Sequence, residues 1–363
     1  MPPQPSGRLS TTGFLISRRS QLFQRQFCGI QKLQCAQRRG SESAKIWALL
    51  RAWLLLGRRT RLAAACRAER GSRIGLRTMR KYIAITPARD EEKLLPGLIA
   101  SMTSQTCRPG RWIVIDDGST DSTAQIVTDA AKTWPWIELH RLSHRRERTA
   151  GGESVVMQFL PRNEIERYDF ILRADADVSF DSDFAALLIG EFENDPGLGI
   201  GGPVLLEPFG SGWRELSGPG FHVPGGLKMY SVACFAAICG LTSGLGWDTI
   251  DLMSAQMRGY RTRKFAHIRA LHHRPQGAAS GMWRNRLAQG YAAFHTGSSP
   301  LWMLARTARH LAASPPVVGA LLMLAGYCGG YLRRLPRAAS PELVSFVRRQ
   351  QMRRLLLRDT VWR

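Results

Sequence analysis

From residue 81 onward, short apolar runs alternate with amphipathic runs, and this alternation limits the possible folds more than any other feature of the chain. It predicts strands at 81–86, 111–116, 136–142 and 169–175, and helices at 90–105, 119–134 and 152–166. Such alternation is typical of a doubly wound, mostly parallel sheet with helices on both faces. We therefore predict an α/β fold.

The pattern changes in the second half of the chain. Residues 199–226 are rich in Gly and Pro and are predicted to form a loop, and a helix is expected at 228–239. Residues 276–363 are mostly helical and basic by pattern. We therefore predict a compact domain over 79–275, followed by a helical C-terminal region over 276–363.

Three of the predicted strands end in polar clusters. "TPARDEE" follows the first strand, "DDGSTD" the second and "DAD" the fourth. In doubly wound sheets, ligands bind outside the carboxyl ends of the strands, so these clusters are expected to converge on one edge. The convergence predicts a ligand site there.

The "DAD" cluster places Asp175 and Asp177 one residue apart at the end of a buried strand. Two carboxylates, together with substrate phosphates, are a usual way to hold Mg²⁺ or Mn²⁺. The simpler alternative is a solvated helix start with Asp181 as its cap. The position after a strand favours the metal site.

The "DDGSTDST" cluster predicts a tight turn at Gly118. Asp117 beside it is expected to accept hydrogen bonds from a nucleobase or ribose, and Pro87 and Glu91 of "TPARDEE" to frame the same base. Plain helix capping by the Ser, Thr and Asp side chains is the alternative.

The order of these motifs resembles the family 2 glycosyltransferases of the GT-A fold. The resemblance rests on "IAITPARDEEKLLPGLIASMTSQ", "RWIVIDDGSTDSTAQIV" and "FILRADADVSF" and covers about 81–275. It implies a nucleotide-sugar donor, a divalent metal on the DxD acids, and inversion at the anomeric carbon. This family usually has Asn where the chain has Asp90.

The resemblance also implies which residues bind the nucleotide sugar. Gly151, in "RTAGGES", belongs to a glycine pair that would let the backbone approach the donor, unless it is only a helix entry turn. The implied donor-binding residues are Thr86, Pro87, Arg89, Glu91, Asp117, Gly118, Ser119, Gly151 and Asp175.

An inverting transfer needs a general base for the acceptor hydroxyl. The family usually supplies it from a Glu-Asp pair, where this chain has "GWDTID". We predict Asp248 as the base, with Asp251 as the weaker candidate. The alternative is that the two residues are the N-cap and N3 positions of a helix.

Two adjacent histidines follow at 272 and 273. Relatives can use a late histidine as a metal ligand, so His272 and His273 are both candidates, although in an extended segment only one can face the site. The stretch 221–230 is expected to form the floor near the sugar, with Lys228 toward phosphate.

The net charge of +23 is concentrated at the N-terminus. Residues 1–78 hold 16 Lys and Arg but 2 Asp and Glu, so we expect a disordered extension. Three alternatives stay open for this extension. Met79 could be the true start of the protein, or the extension could be a surface-binding arm or a targeting segment. The remaining residues have a net charge of +9, and no nucleic-acid partner is expected.

An apolar run at 315–332 lies among basic residues. It predicts a spanning helix, an interfacial or re-entrant element, or a soluble packing helix, and of these we favour interfacial docking. Trp302 and Leu304 would add apolar area, and the arginines near them would meet anionic lipid. Seven cysteines without CxxC spacing favour reduced thiols, so the cytoplasmic face of a membrane is the expected location.

The predicted function is therefore metal-assisted sugar transfer to a hydroxyl of a glycan, lipid-linked saccharide or polysaccharide. Two alternatives stay open: a polyprenyl-phosphate sugar transferase, and a non-catalytic protein that binds membrane or nucleic acid. A sugar nucleotidyltransferase is disfavoured because "TPARDEEKLL" lacks the expected Gly-rich loop. The sequence does not specify the sugar, the acceptor or the oligomeric state.

Overall fold

A nine-stranded sheet dominates the described part of the chain. The computed structural model describes residues 80–142, 159–161, 163–242, 244–275, 281–312 and 316–362. The strands are β1 Tyr82–Ala88, β2 Arg111–Asp116, β3 Ile137–Arg141, β4 Phe170–Ala174, β5 Val178–Phe180, β6 Leu198–Phe209, β7 Gly212–Glu215, β8 Leu227–Ser231 and β9 Arg261–His272. The helices are α1 Leu95–Thr103, α2 Thr123–Thr133, α3 Phe184–Asn194, α4 Val232–Ala237, α5 Trp247–Met257, α6 Met282–His295, α7 Pro300–Arg309, α8 Val318–Leu332 and α9 Pro341–Leu355.

The strand order is β3-β2-β1-β4-β8-β6-β9-β5, with β7 paired to β6. The first four strands in this order are parallel, and Ile85 of β1 lies opposite Ile113 of β2 and Arg173 of β4. β8 runs antiparallel to both β4 and β6. The chain moves from β1 to β2 and β3 on one side, then to β4 on the other, so the strand order reverses between β1 and β4. The carboxyl ends of strands at such a point form a ligand crevice.

The core lies on both faces of the sheet. Alternate residues of β1 serve opposite faces: Tyr82 and Ala84 pack with α1 and α3, whereas Ile83 and Ile85 pack with α5 and α9. A parallel sheet covered on both faces has this burial pattern. The predicted α/β class is confirmed.

The predicted loop over 199–226 was wrong in its first part. Residues 198–215 form β6 and β7, because the glycines that suggested a loop permit close backbone packing instead. A Cβ at Gly202 would lie 2.4 Å from Val223 Cγ1 and 2.9 Å from Leu227 O. Glycine inside a strand often marks such an approach.

The predicted helix at 228–239 was also wrong in its first half. Residues 227–231 form β8, whose side chains alternate between the two faces of the sheet. The helix α4 starts after Ser231, whose side chain accepts a hydrogen bond from Cys234 N. The predicted helix at 152–166 lies mostly outside the described residues, and its end contains a short 3₁₀ helix, Ile165–Arg167.

The C-terminal residues contribute to the same core as the sheet. Residues 80–363 form one compact unit, with no division at 275. The Trp362 ring lies 5.6 Å from that of Phe221, and its Nε1 donates to Gln256 Oε1 at 2.9 Å. Among the described residues, no helix is long and apolar enough to cross a membrane.

Candidate active site

The loops after β1 and β2 are joined by hydrogen bonds. Asp90 N donates to Ser119 Oγ at 3.0 Å, Thr120 N donates to Asp90 Oδ1 at 2.9 Å, and Glu91 N donates to Thr123 Oγ1 at 2.8 Å. Asp90 has a φ of 57°, a left-handed conformation that Asn and Asp adopt more readily than most residues. Asp90 therefore suits a position where the family usually has Asn.

The turn after β2 places Asp117 beside Arg89. Gly118 adopts a φ of 71°, and Ser119 N donates to Asp116 Oδ1 at 2.8 Å, which closes the turn. Arg89 NH1 lies 3.6 Å from Asp117 Oδ2. Ser122 is the N-cap of α2 but makes no side-chain capping bond, so the polar side chains of this stretch join the two loops instead.

Thr86 is not available to a ligand through its side chain. It is fully buried, and its Oγ1 accepts a hydrogen bond from Trp112 Nε1 at 3.0 Å. The threonine side chain belongs to the core of β1, so the predicted donor contact of Thr86 could be made through its backbone alone. Pro87 is half-buried at the end of the same strand, and Gly151 lies outside the described residues.

Asp175 follows β4 and contacts a buried arginine. Arg173 NH2 lies 2.8 Å from Asp175 Oδ1, and the Arg173 side chain is only 1% exposed. Arg173 NH1 also donates to Gly225 O, and Asp175 N donates to Gly226 O at 2.7 Å. The chain thus supplies a positive neighbour for this carboxylate.

Asp177 is held by different cations. Its Oδ1 lies 3.4 Å from His272 Nε2, and its Oδ2 lies 3.9 Å from Arg274 Nε. Burial opposes ionisation of this carboxyl, but the hydrogen bond and charge of His272 and the charge of Arg274 together hold its pKa below the usual value. Asp177 is therefore an anion in a largely buried site.

His272 connects Asp177 to a second carboxylate. Its Nδ1 lies 3.1 Å from Glu207 Oε1, while Nε2 points toward Asp177. Burial disfavours the imidazolium, but hydrogen bonds and charges from Asp177 and Glu207 outweigh it and raise the pKa of His272 to about 9. A carboxylate on one ring nitrogen, with the other nitrogen directed into the site, is the usual support for a metal-binding histidine.

His273 lies apart from this cluster. Its Nε2 is 2.7 Å from Ser179 Oγ, and its ring packs edge-on against Trp213 at 5.5 Å. The structure therefore brings His272, and not His273, to the DxD carboxylates.

Arg274 was missed by the sequence reasoning. It binds Glu91 through two hydrogen bonds of 3.0 and 2.6 Å, so it joins the β1 loop to Asp177. Beside this pair lies a cavity of about 410 Å³, lined by Asp90, Glu91, Glu92, Lys93, Leu94, Asp121 and Arg274. The only sequence signal was its position directly after the histidine pair.

Asp175 and Asp177 lie at the edge of the sheet that follows β4, which we call the DxD edge. This edge offers only a few donor atoms for a divalent metal. No group of three or more His, Cys, Asp or Glu residues suited to hold a metal occurs in the described ranges. Asp177 and Asp175 offer carboxylate oxygens, whereas the His272 nitrogen nearest to them, Nε2, lies 3.4 Å from Asp177 Oδ1. A Cβ at Gly226 would lie 3.2 Å from Asp175 Oδ2 and 3.9 Å from His272 Nε2, so glycine leaves space beside both. These residues fit a metal whose coordination a substrate completes.

Helix α5 begins differently from the prediction. Its N-cap is Gly246, at a φ of 86°, and Asp248 is the second helical residue. Gly246 is needed because a Cβ there would also lie 3.0 Å from Thr296 Cγ2. The interpretation of Asp248 as the N-cap was therefore wrong, and its carboxylate is half-exposed in the first turn.

Asp251, in contrast, is buried. Its Oδ2 accepts from Lys228 Nζ at 3.0 Å and from Tyr230 Oη at 2.6 Å, and its Oδ1 accepts from Leu252 N at 2.6 Å. Burial raises the pKa of this carboxyl, although Lys228 and Tyr230 oppose the shift. Lys228 is fully buried in this network, so the expectation that it faces phosphate was wrong.

The diglycine Gly225–Gly226 separates the DxD edge from the start of α5. A Cβ at Gly225 would lie 3.2 Å from the Trp247 ring and 3.3 Å from Asp248 Cβ, whereas Gly226 abuts Asp175. The diglycine thus borders Asp175 on one side and the Cβ of Asp248, a half-buried residue, on the other.

Comparisons with known proteins agree with this architecture. Residues 83–219 match the family model described as "Glycosyl transferase family 2". No curated protein sequence gives a significant match to the chain.

Among solved structures, the chain is similar to the mannosyltransferase PcManGT from Pyrobaculum calidifontis, in complex with GDP-Man and Mn²⁺. The identity is 17%, the coverage 74% of this chain and 79% of that one, and the TM-score 0.46. For S. aureus TarS 1–349 in complex with UDP-GlcNAc, the identity is 16%, the coverage 73% and 79%, and the TM-score 0.46. In another TarS structure, the match covers 44% of that chain.

Proposed function

Because residues 83–219 match the model of the family 2 glycosyltransferases, we propose that this protein moves a sugar from a nucleotide-diphosphate sugar to a hydroxyl acceptor with inversion. The acceptor is a glycan, a lipid-linked saccharide or a polysaccharide. One observation carries the proposal: the loops after β1, β2 and β4 meet at the point where the strand order reverses, and each contributes acids held by cations.

The two joined loops after β1 and β2 bind the nucleoside. Asp117 and Glu91 direct carboxylates to this edge, and Arg89 and Arg274 hold them in place. Pro87, Gly118 and Ser119 shape the backbone around them, and we retain Gly151 as a candidate on the donor side. Because the loop contacts are largely hydrogen bonds to backbone N–H groups, the nucleoside site is preformed.

The DxD edge would hold the divalent ion that binds the donor diphosphate. When bound to Asp175 and Asp177, the ion would neutralise charge on the departing nucleoside diphosphate. His272 is the protein nitrogen placed to join these oxygens, with Glu207 fixing its ring. A mixed oxygen and nitrogen donor set suits Mn²⁺ better than Mg²⁺, which prefers oxygen.

Asp248 takes the proton from the acceptor hydroxyl. It is half-buried in the first turn of α5 and its Cβ lies beside Gly225, which supports a position at the acceptor side of the donor sugar. Both carboxylate oxygens of Asp251 accept hydrogen bonds from groups of the protein. This supports a role in positioning α5 and not in proton transfer.

A donor panel tests the proposal. The full chain is incubated with UDP-, GDP- and dTDP-sugars and Mn²⁺ or Mg²⁺, and nucleoside diphosphate release is measured with and without chelator. We expect metal-dependent release of nucleoside diphosphate from at least one donor. Release does not require the natural acceptor, because water can slowly take its place. Folded protein that consumes no donor with either metal would refute the proposed reaction.

We also propose that the C-terminal helices dock on an anionic bilayer. Residues 276–363 hold thirteen arginines and two acidic residues. Helix α8 carries no charge, and its exposed face is apolar, with Val318, Leu321 and Leu332 exposed by 47, 53 and 84%. Helix α7 exposes Leu301 and Leu304 by 57 and 53%. Apolar stripes beside excess arginine match a surface of anionic lipid.

Close helix packing directs these stripes outward. A Cβ at Gly290 of α6 would lie 2.0 Å from Met323 O, and one at Gly326 of α8 would lie 2.1 Å from Leu287 O. The two backbones therefore touch. Helix α8 buries Met323 and Tyr327 together with its small residues, whereas Val318, Leu321 and Leu332 stay exposed. Trp302, expected at the lipid, instead packs 6.0 Å from the Trp362 ring.

Vesicle flotation tests this surface. Leu304→Asp and Leu321→Asp should each weaken binding to phosphatidylcholine vesicles that contain phosphatidylglycerol, whereas Trp213→Asp, at an exposed residue of β7, should not. Omission of phosphatidylglycerol should also weaken binding. If these leucine variants instead dissociate a dimer and leave flotation unchanged, the stripes bind a second copy and the membrane proposal fails.

The apolar stripes also support a second candidate function, sugar transfer to a polyprenyl phosphate. A phosphate acceptor is already an anion and needs no strong base. Asp248→Asn distinguishes the two: it should slow transfer to a hydroxyl strongly and transfer to a phosphate little.

A further inference from the structure

Arg173 contacts both sides of the site from a buried position. It lies on β4, 1% exposed, with one nitrogen 2.8 Å from Asp175 Oδ1 and another donating to Gly225 O. Its guanidinium carbon is also 4.5 Å from the centroid of the Trp247 ring. A single side chain therefore contacts the DxD edge, the diglycine and the first residue of α5.

Trp247 is the point where two polar networks meet. Lys228 Nζ lies 5.1 Å from the same ring and 3.0 Å from Asp251 Oδ2. Lys228 Nζ also donates to Asp248 O at 3.3 Å. The indole is thus held between two cations, one bound to the DxD edge and the other to the backbone and side chain of α5.

The chemistry of position 173 requires arginine. The planar guanidinium can bind a carboxylate and a carbonyl through its edge while it stacks on an aromatic ring through its face. A lysine ammonium is a compact charge and cannot make all three contacts from one place. An ion pair that served stability alone would not need the stacking contact.

We propose that Arg173 is a positioning residue that couples the DxD edge to the general base. The carboxylate of Asp175 sets the position of the guanidinium, and the guanidinium sets the position of the Trp247 ring. Asp248 follows that ring directly in the chain and moves with it. Donor binding at Asp175 therefore aligns the base with the sugar.

Fluorine NMR tests the coupling without any substrate. The full chain is labelled with 5-fluorotryptophan, and Trp247→Phe identifies the Trp247 signal. Asp175→Asn should shift that signal in the Arg173 protein and shift it far less in an Arg173→Lys background. Asp169→Asn is the matched control, because Asp169 pairs with Arg80 at the opposite end of β4. If the Trp247 signal does not shift in Asp175→Asn, the proposal is wrong.

Turnover then separates positioning from stability. Arg173→Lys and Trp247→Leu should each lower the rate of nucleoside diphosphate release about tenfold, as small misplacements do. The double variant should lose little more than the worse single variant. Trp247→Phe keeps an aromatic face and should retain most of the rate. Thermal unfolding of every variant shows whether it is folded at the assay temperature.

Two losses that multiply independently would mean that Arg173 and Trp247 act separately, and the proposal would be wrong. The rate experiment rests on the proposed function, whereas the fluorine experiment does not. The wild-type protein could be inactive while its Trp247 signal still shifts in Asp175→Asn. That result would refute the glycosyl transfer and leave the coupling intact.

Discussion

The two acidic pairs of the site, Asp175 with Asp177 and Asp248 with Asp251, differ in the surroundings of their carboxylates. At the DxD edge, the side chains of Asp175 and Asp177 are 27 and 11% exposed. Asp175 is paired with Arg173 of its own strand β4, whereas Asp177 is paired with His272 and Arg274 at the end of β9. On α5, Asp251 is fully enclosed by Lys228 and Tyr230, and Asp248 is half-exposed. Burial and partners, more than spacing, therefore distinguish the carboxylates proposed to meet substrate from the one proposed to hold a helix.

The first test of this comparison removes Asp177. Asp177→Ala should lower metal-dependent donor turnover by about 10³-fold or more, because a bound metal contributes several kcal/mol at the transition state. The control is Asp181→Ala, since Asp181 is exposed just beyond the DxD edge. Steady-state rates with Mn²⁺ measure both. Equal losses in the two variants would mean that Asp177 has no special place in the site.

The second test addresses the enclosed member of the α5 pair. Asp251→Asn leaves Lys228 buried without its counter-ion, so the free energy of unfolding should fall by about 3 kcal/mol. Turnover per folded molecule should change little. Urea unfolding measures the first quantity and active-site-normalised rates the second. A large loss of rate without loss of stability would make Asp251 the base.

The third test addresses the open member. Asp248→Asn should lower transfer to a hydroxyl acceptor by about 10²-fold, in keeping with typical base catalysis, and leave donor affinity near wild type. Stability should hold, because Gly246 and not Asp248 caps the helix. If the rate stays at the wild-type level, the acceptor supplies its own anion.

The smallest expected effect comes from the diglycine. Gly226→Ala places a methyl group 3.2 Å from Asp175 Oδ2 and should cost about tenfold in turnover through displaced ligands. Gly212→Ala, whose added Cβ meets nothing within 4 Å, is the control. An unchanged rate in Gly226→Ala would show that the space beside Asp175 is not used.

The DxD side could be predicted from sequence because β1, β2 and β4 are parallel neighbours whose ends carry short polar runs. Parallel order brings such ends together without knowledge of any long-range pair. The bounds of β2 agree with the prediction over 111–116.

The α5 side and the supporting cations could not be predicted in the same way. β6 and β9 pair across a long stretch of chain, and glycines that serve close packing in β6 look like loop residues. Arg173 reads as an ordinary strand residue, and Arg274 as part of a turn. Their partners, Trp247 and Glu91, are distant in sequence, so only the fold joins them.

The most direct test of the central claim is calorimetric binding of UDP and GDP to the full chain. Binding of at least one nucleotide should require Mn²⁺ or Mg²⁺, weaken by about 10²-fold or more in chelator and in Asp177→Ala, and persist in Asp248→Asn and Asp251→Asn. Equal affinity with and without metal, or loss of binding in Asp248→Asn, would contradict a metal-dependent donor site at the DxD edge that is separate from the base on α5.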